Sequence, residues 1–377
     1  GGSDEDHFTV TTSGSVAGEI RAGAGNDDLA VSVDGTTVGQ VAFVGGVGND
    51  DILISGGASA MTVDYQADTE GGASLSYSLQ ADTSLVTYTV NYADVEAIDD
   101  DVVAARLTIN DLDAQNDAIA LVNDSFQVNA LAPVSYTNKD SVVIAGESGD
   151  EVTVQGLVQV NNRFEVVSAG VTAFDNNAQV QAAQIRFNGN AHIGAADARV
   201  RINTDSLQLQ NIQGAAYLLE ANDVNIAGIT NPSGRVDIVA NGDIADTATL
   251  SSTQALVLQS VNGAITLDNT NSLTGEVSLS AATDVTLANS ASTVLGDITA
   301  QNFSLSAAGS LVIQDASSAT VVDVNDLIVQ GNLSNGFTVT AGGALATNGA
   351  VSATDVSLTA NGGTVTVNNN ITAENSV

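Results

Sequence analysis

The stretch Val277-Ser278-Leu279-Ser280-Ala281-Ala282-Thr283-Asp284-Val285-Thr286-Leu287 decides how this chain is read. Two apolar-x-apolar pairs, Val277/Leu279 and Val285/Leu287, stand eight residues apart with small and polar residues between them. A spacing of two within a pair is the period of a strand that buries one face. Outward from this stretch the same couple recurs. Leu256/Leu258 pairs with Ile265/Leu267, Phe303/Leu305 with Leu311/Ile313, Leu327/Val329 with Phe337/Val339, and Val356/Leu358 with Val365/Val367. Successive couples begin at 256, 277, 303, 327 and 356. Weaker segments such as Gly296-Asp297-Ile298-Thr299 and Ala350-Val351-Ser352 lie between them and read as third strands.

Short strands recurring at a fixed step describe a stack of coils. The expected fold is all-β, a parallel β-helix (β-solenoid) with coils of roughly 20–29 residues. Asn262-Gly263, Ala341-Gly342-Gly343 and Asn361-Gly362-Gly363 provide the backbone freedom that corners need. Two prolines, Pro133 and Pro232, leave nearly every amide free to donate to a neighbouring coil. Dense Val, Ile and Gly without a 3.6-residue period argue against helix. A β-sandwich or tandem immunoglobulin-like array is the alternative. The regular couples and the absence of Trp favour the solenoid.

Residues 1–130 form an acidic, Gly/Asp-rich N-terminal β region, expected to be continuous with a regular β-helix over 131–377. The chain opens without Met and closes in repeat-like sequence, as expected of a processed product, a window of a longer protein, or a subunit whose ends dock on neighbours. Aromatics make up 4% of the 377 residues, so the core is aliphatic. Eight Lys+Arg stand against 44 Asp+Glu, a formal charge of −36. Such a surface repels phosphates, so no nucleic acid partner is expected. No apolar run reaches the ~18 residues of a spanning helix, so no membrane insertion is expected.

The sharpest local motif is duplicated. Ala22-Gly23-Ala24-Gly25-Asn26-Asp27-Asp28-Leu29 and Gly45-Gly46-Val47-Gly48-Asn49-Asp50-Asp51-Ile52 align at a spacing of 23, and Ala145–Val152 is a degenerate third copy. The second copy fits the G-G-x-G-x-D-x-U nonapeptide of calcium-binding β-rolls. Glycines let such a turn aim carbonyls inward, and Asp adds a hard anionic oxygen suited to Ca²⁺. The candidate metal residues are Gly23, Gly25, Asn26, Asp27, Asp28, Gly46, Gly48, Asn49, Asp50 and Asp51. A step of 23 places the two turns directly over one another, with room for one shared Ca²⁺ rather than a row of ions. A plain repeated Gly-Asn-Asp turn, or a hydrogen-bonded Asn/Asp ladder, explains the same residues without a metal.

Catalytic constellations are weak. His7 lies in a segment expected to fray, His192 in a loop, and there is no Cys. Arg199 and Arg201 beside Asp197 and Asp205 read as a solvated charge cluster, and Asp99-Asp100-Asp101 as a solvated turn. No catalytic residue is assigned.

Val236-Asp237-Ile238-Val239-Ala240-Asn241-Gly242-Asp243-Ile244 and Val277–Leu287 resemble the repeats of large secreted bacterial adhesins of the filamentous-haemagglutinin type. The Gly-Asn-Asp turns resemble those of RTX-like calcium-binding exoproteins. The resemblance implies a right-handed β-helix exported to the cell surface, with a role in attachment, sheath or matrix. The expected function is a non-enzymatic rod or filament subunit with a surface or glycan target. A carbohydrate-active β-helix enzyme and a calcium-dependent binding module are the alternatives. Head-to-tail self-association, or continuation in a larger chain, would cover the apolar end left by Val365, Val367 and Ile371. Phe8, Val10, Val16 and Ile20 are the expected complementary strand for that contact.

Overall fold

Alternation of apolar and polar residues along short strands becomes, in three dimensions, a series of stacked coils. The computed structural model describes residues 2–11, 16–33, 38–56, 60–67, 72–81, 84–111, 115–173, 176–291 and 293–300. Beyond these it describes the strands within 302–307, 311–313, 322–323, 326–330, 332–333, 337–341, 345–347, 351–360, 364–367 and 370–376. Every described element is a strand or turn, and nearly all strand pairs are parallel. The fold is a β-solenoid, built as two compact units, Gly1–Ala183 and Gln184–Val377.

In the second unit, Val236–Ala240, Leu256–Ser260 and Glu276–Ala281 stack in parallel on one face. Ile238 pairs with Leu258, and Leu258 with Leu279. On the opposite face Ile244, Ile265 and Val285 form an equivalent column. All six side chains are buried, and each coil repeats the same inward positions ~4.8 Å above the last. Burying each such side chain stabilises the stack by about 1.5–3 kcal/mol.

The coils are shorter than their sequence spacing suggests. Leu256 stacks on Val277, Val277 on Leu295, Leu295 on Ile313, Ile313 on Val339, and Val339 on Leu358. Five steps therefore cover the span from 256 to 358, where the couples count four. Gly296–Thr299, read from sequence as a weak third segment, belongs to a longer strand, Thr293–Thr299, of its own coil, with Leu295 and Ile298 buried. The couple starting at 303 lies on the opposite face from the one starting at 277. Inward placement of Phe303/Leu305, Leu311/Ile313, Leu327/Val329, Phe337/Val339 and Val356 falls outside the residues whose side chains are described. Val365 and Val367 are 40% and 48% exposed.

In the first unit, His7–Thr11, Asp28–Ser32, Asp51–Ser55 and Ala97–Asp100 stack in parallel. Val16–Ala24 and Gly39–Val47 stack beside them, with Ile20 over Phe43. His7–Thr11 and Val16–Ala24 are thus already strands of the solenoid. Two insertions depart from the all-parallel plan. Ala60–Ala67, Gly72–Ala81 and Ser84–Ala93 form an antiparallel meander, and Ala118–Val122 with Ser125–Val128 forms a hairpin. The meander carries buried Tyr65, Tyr77, Tyr88 and Tyr92.

Candidate functional site

The duplicated turns meet as their spacing predicts. Arg21 pairs with Val44, Gly23 with Gly46, and Asp28 with Asp51, so each turn sits over its copy in the next coil. The backbone requires glycine here. Gly23 and Gly46 have φ of 116° and 113°, and a Cβ on Gly48 would run into the Gly25 carbonyl.

The aspartates at the heart of the motif form a column of charge-assisted hydrogen bonds. Asp27 Oδ1 accepts the Asp6 amide at 2.8 Å, and Asp50 Oδ1 accepts the Asp27 amide at 2.8 Å. Glu96 Oε2 closes the column on the Asp50 amide at 2.7 Å. Beside it, Asn26 Oδ1 accepts the Asn49 amide at 3.0 Å. Asp27 and Asp50 are fully buried. Burial pushes the Asp50 carboxyl up, opposed by the Asp27 amide and reinforced by the carboxylates of Asp27, Glu96 and Asp28. Asp51 is pushed up by burial, then by Asp28, Asp99, Glu96 and Asp50.

The third copy shows what the first two lack. Asp150 Oδ1 accepts the Asp117 amide at 3.0 Å, and its Oδ2 accepts the Glu147 amide at 2.6 Å within its own turn. The residue matching Glu147 in the first copy is Ala24, whose amide donates instead to the Gly2 carbonyl at 3.0 Å. Asp27 Oδ2 and Asp50 Oδ2 are consequently buried without a hydrogen-bond partner. A buried carboxylate oxygen in that state carries a substantial desolvation cost. Oxygens of this type suit a hard cation, which needs six to eight of them.

The remaining predicted metal residues divide by position. Asn26, Gly48 and Asn49 are exposed on the turn surface, and Asp28 and Asp51 are half-buried at the start of the following strands. Asp28 joins a different cluster. Its Oδ2 lies 2.8 Å from His7 Nδ1, and Glu5 Oε1 lies 3.8 Å from His7 Nε2, with His7 and Glu5 exposed beside the half-buried Asp28. His7 is therefore not in a frayed segment but begins the strand His7–Thr11. Asp6 and Glu96 extend the column outside the two aligned copies: Glu96 lacks the flanking glycines, and Asp6 follows Gly1-Gly2 but has Asp4 where the copies have Gly25 and Gly48.

Two further expectations are corrected. The run Asp99-Asp100-Asp101 is not uniformly solvated, because Asp100 points inward, fully buried against Lys139. Arg199 pairs with neither Asp197 nor Asp205. It reaches Asp237 Oδ1 at 2.8 Å and lies 5.6 Å from the centroid of the Tyr217 ring. Tyr217 is in register with Asp237, so the stack supplies a partner that sequence proximity hides. Arg235 also binds Asp237, at 2.9 Å.

In the second unit polar residues, exposed and buried, are likewise bonded between coils. Asn222 Nδ2 donates to Asn203 Oδ1 at 3.2 Å, and Asn262 Nδ2 to Asn241 Oδ1 at 2.8 Å. Asn271 Nδ2 donates to Asp246 Oδ2 at 2.7 Å. Glu220, fully buried, accepts the amides of Thr204 and Asn222, each at 3.1 Å. Burial pushes its carboxyl up to about 7, opposed by the amides of Asn222, Thr204 and Ala221.

No protein-family model, no curated protein and no solved structure matches this chain.

Proposed function

We propose that this chain is a structural component of a bacterial cell surface or extracellular matrix, a β-solenoid that serves attachment or assembly rather than catalysis. The observation that carries this reading is where the polar side chains go. In both units they tie one coil to the next, as Asp27, Asp50 and Glu96 do in the first and Asn271 with Asp246 in the second. A solenoid so constructed resists shear along its stack. The acidic surface, −36 overall, suits a hydrated, salt-exposed location. The resemblance to filamentous-haemagglutinin-type repeats points the same way, toward an exported protein with a surface or glycan target. Electron micrographs of the purified chain test the reading. Rods that associate end to end with rising concentration support it, and a monodisperse compact particle at high concentration would sink it.

A calcium-bearing turn is the second reading, favoured by the unpartnered Asp27 Oδ2 and Asp50 Oδ2. Asp27, Asp50 and the adjoining Gly and Asn carbonyls would hold the ion, which would neutralise stacked charge and stiffen the coils.

A further inference from the structure

Lys139 is the sole lysine of a chain with 44 acidic residues, and it is buried. Its side chain and that of Asp100 are both fully inaccessible, with Lys139 Nζ 3.2 Å from Asp100 Oδ2. A buried ion pair is weak support for a fold, because desolvation offsets most of the attraction. The surroundings are unusual as well. Nζ lies 2.6 Å from the Val102 carbonyl, 3.0 Å from that of Thr137 and 3.2 Å from that of Asp100. Four oxygens thus crowd an ammonium that has three protons, and the approach to Oδ2 lacks hydrogen-bond geometry.

We infer that Lys139 and Asp100 form a self-crosslinking pair whose side chains condense to an amide joining two adjacent coils. The two residues belong to neighbouring layers, since Asp100 is in register with Tyr136 and Ala104 bridges Lys139. The chemistry balances without an oxidant, reductant or cofactor. The lone pair of the neutral Nζ attacks Cγ of the protonated carboxyl, and a nitrogen–carbon bond forms. The Cγ–Oδ2 bond then breaks, and the hydroxyl leaves with one amine proton as water. Asp100 Oδ1 accepts the Val102 amide at 3.0 Å. That donor stabilises the charge Oδ1 gathers in the tetrahedral stage, and Oδ1 becomes the amide oxygen.

The environment favours the reactive protonation states. Burial lowers the Lys139 amine and raises the Asp100 carboxyl, each opposed by the charge of the other. The fully buried Tyr77 phenol stands beside the same carboxyl, and burial keeps it protonated. The resulting link would close a loop of 39 residues around the Ala118–Val128 hairpin, in a chain that has no cysteine for a disulfide.

Intact-mass spectrometry of the full chain, denatured in urea, decides the matter. The expected mass is the sequence mass less one water, or a mixture whose lighter form grows on incubation. An amine-reactive label on the denatured chain should then react once, at the α-amino group. Lys139→Arg and Asp100→Ala should each restore the full sequence mass, and Asp100→Ala should also restore a second labelled amine. A wild-type chain of full sequence mass that does not lighten on incubation, with Lys139 labelled once denatured, overturns the inference whether or not the variants fold.

Discussion

Asp50 Oδ1 accepts the backbone amide of Asp27 one coil away at 2.8 Å, while Asp50 Oδ2, equally buried, has no hydrogen-bond partner. One oxygen of the motif aspartate therefore builds the stack, and the other is available to a cation. The two roles separate by substitution. Asparagine keeps Oδ1 as an acceptor and replaces the anionic Oδ2 with an amide.

Calcium should raise the melting temperature of the chain if the Oδ2 atoms of Asp27 and Asp50 bind it. At a hundredfold excess over Kd the gain is about 2.7 kcal/mol by mass action. Asp50→Asn should abolish most of that gain. Asp150→Asn should lower stability in calcium and in chelator alike, because both Asp150 oxygens already have amides. Equal melting of the parent with calcium and with chelator would reduce the turns to structure alone.

Glu220 makes the second unit sensitive to pH. Its carboxyl moves from 4.5 to about 7 on folding. A raised carboxyl gives stability that is present below 4.5 and lost as pH rises through about 7, because the unfolded chain ionises first. The loss is on the order of 3 kcal/mol. Urea midpoints should fall between mildly acidic and neutral pH, and Glu220→Gln should flatten that slope. An unchanged slope in the variant would assign the titration elsewhere.

Leu295 tests the coil count. It is as buried as Leu258, so Leu295→Ala and Leu258→Ala should each cost about 2–5 kcal/mol. Val261→Ala, at a residue 46% exposed, should stay within about 0.5 kcal/mol of the parent. A Leu295→Ala variant that melts like Val261→Ala would place Thr293–Thr299 outside the core.

The stacking itself is legible because apolar residues at a spacing of two, such as Leu256/Leu258, fix both strand and inward face. The coil length is less so. Val294 and Leu295 are adjacent and Ile298 follows a bulge, so a buried strand loses its alternating signature. The antiparallel meander carries ordinary alternation, as in Leu75, Tyr77 and Leu79, and nothing in that pattern gives strand direction. Asp27 over Asp50 follows from the 23-residue spacing. Glu96 over Asp50 does not, because the meander stretches that step to 46 residues. The pairing of Asp100 with Lys139 is hidden for the same reason, by the hairpin between them.

Asn271 is a buried polar residue whose value can be isolated. It is fully buried, its Oδ1 accepts the Leu250 amide at 2.7 Å, and its Nδ2 donates to Asp246 Oδ2 at 2.7 Å. Asp246 Oδ1 is already occupied by the Asp268 amide at 3.0 Å and by the Asn269 side chain at 3.0 Å. Removing the Asn271 side chain would leave the Leu250 amide and Asp246 Oδ2 unpaired, at about 1–3 kcal/mol each. Asn271→Asp is the finer probe. It preserves shape and the acceptor for Leu250 but sets a second carboxylate against Asp246, where two buried like charges cannot both ionise cheaply. One of the pair then titrates above the usual carboxylate range, so its stability contribution is lost as pH rises. The variant should melt well below the parent at neutral pH and recover toward it under mildly acidic conditions, where a shared proton replaces the lost amide hydrogen. Thermal melts of parent and variant across that range check the prediction, and a deficit that does not shrink on acidification would show that Asn271 acts through packing rather than through its bond to Asp246.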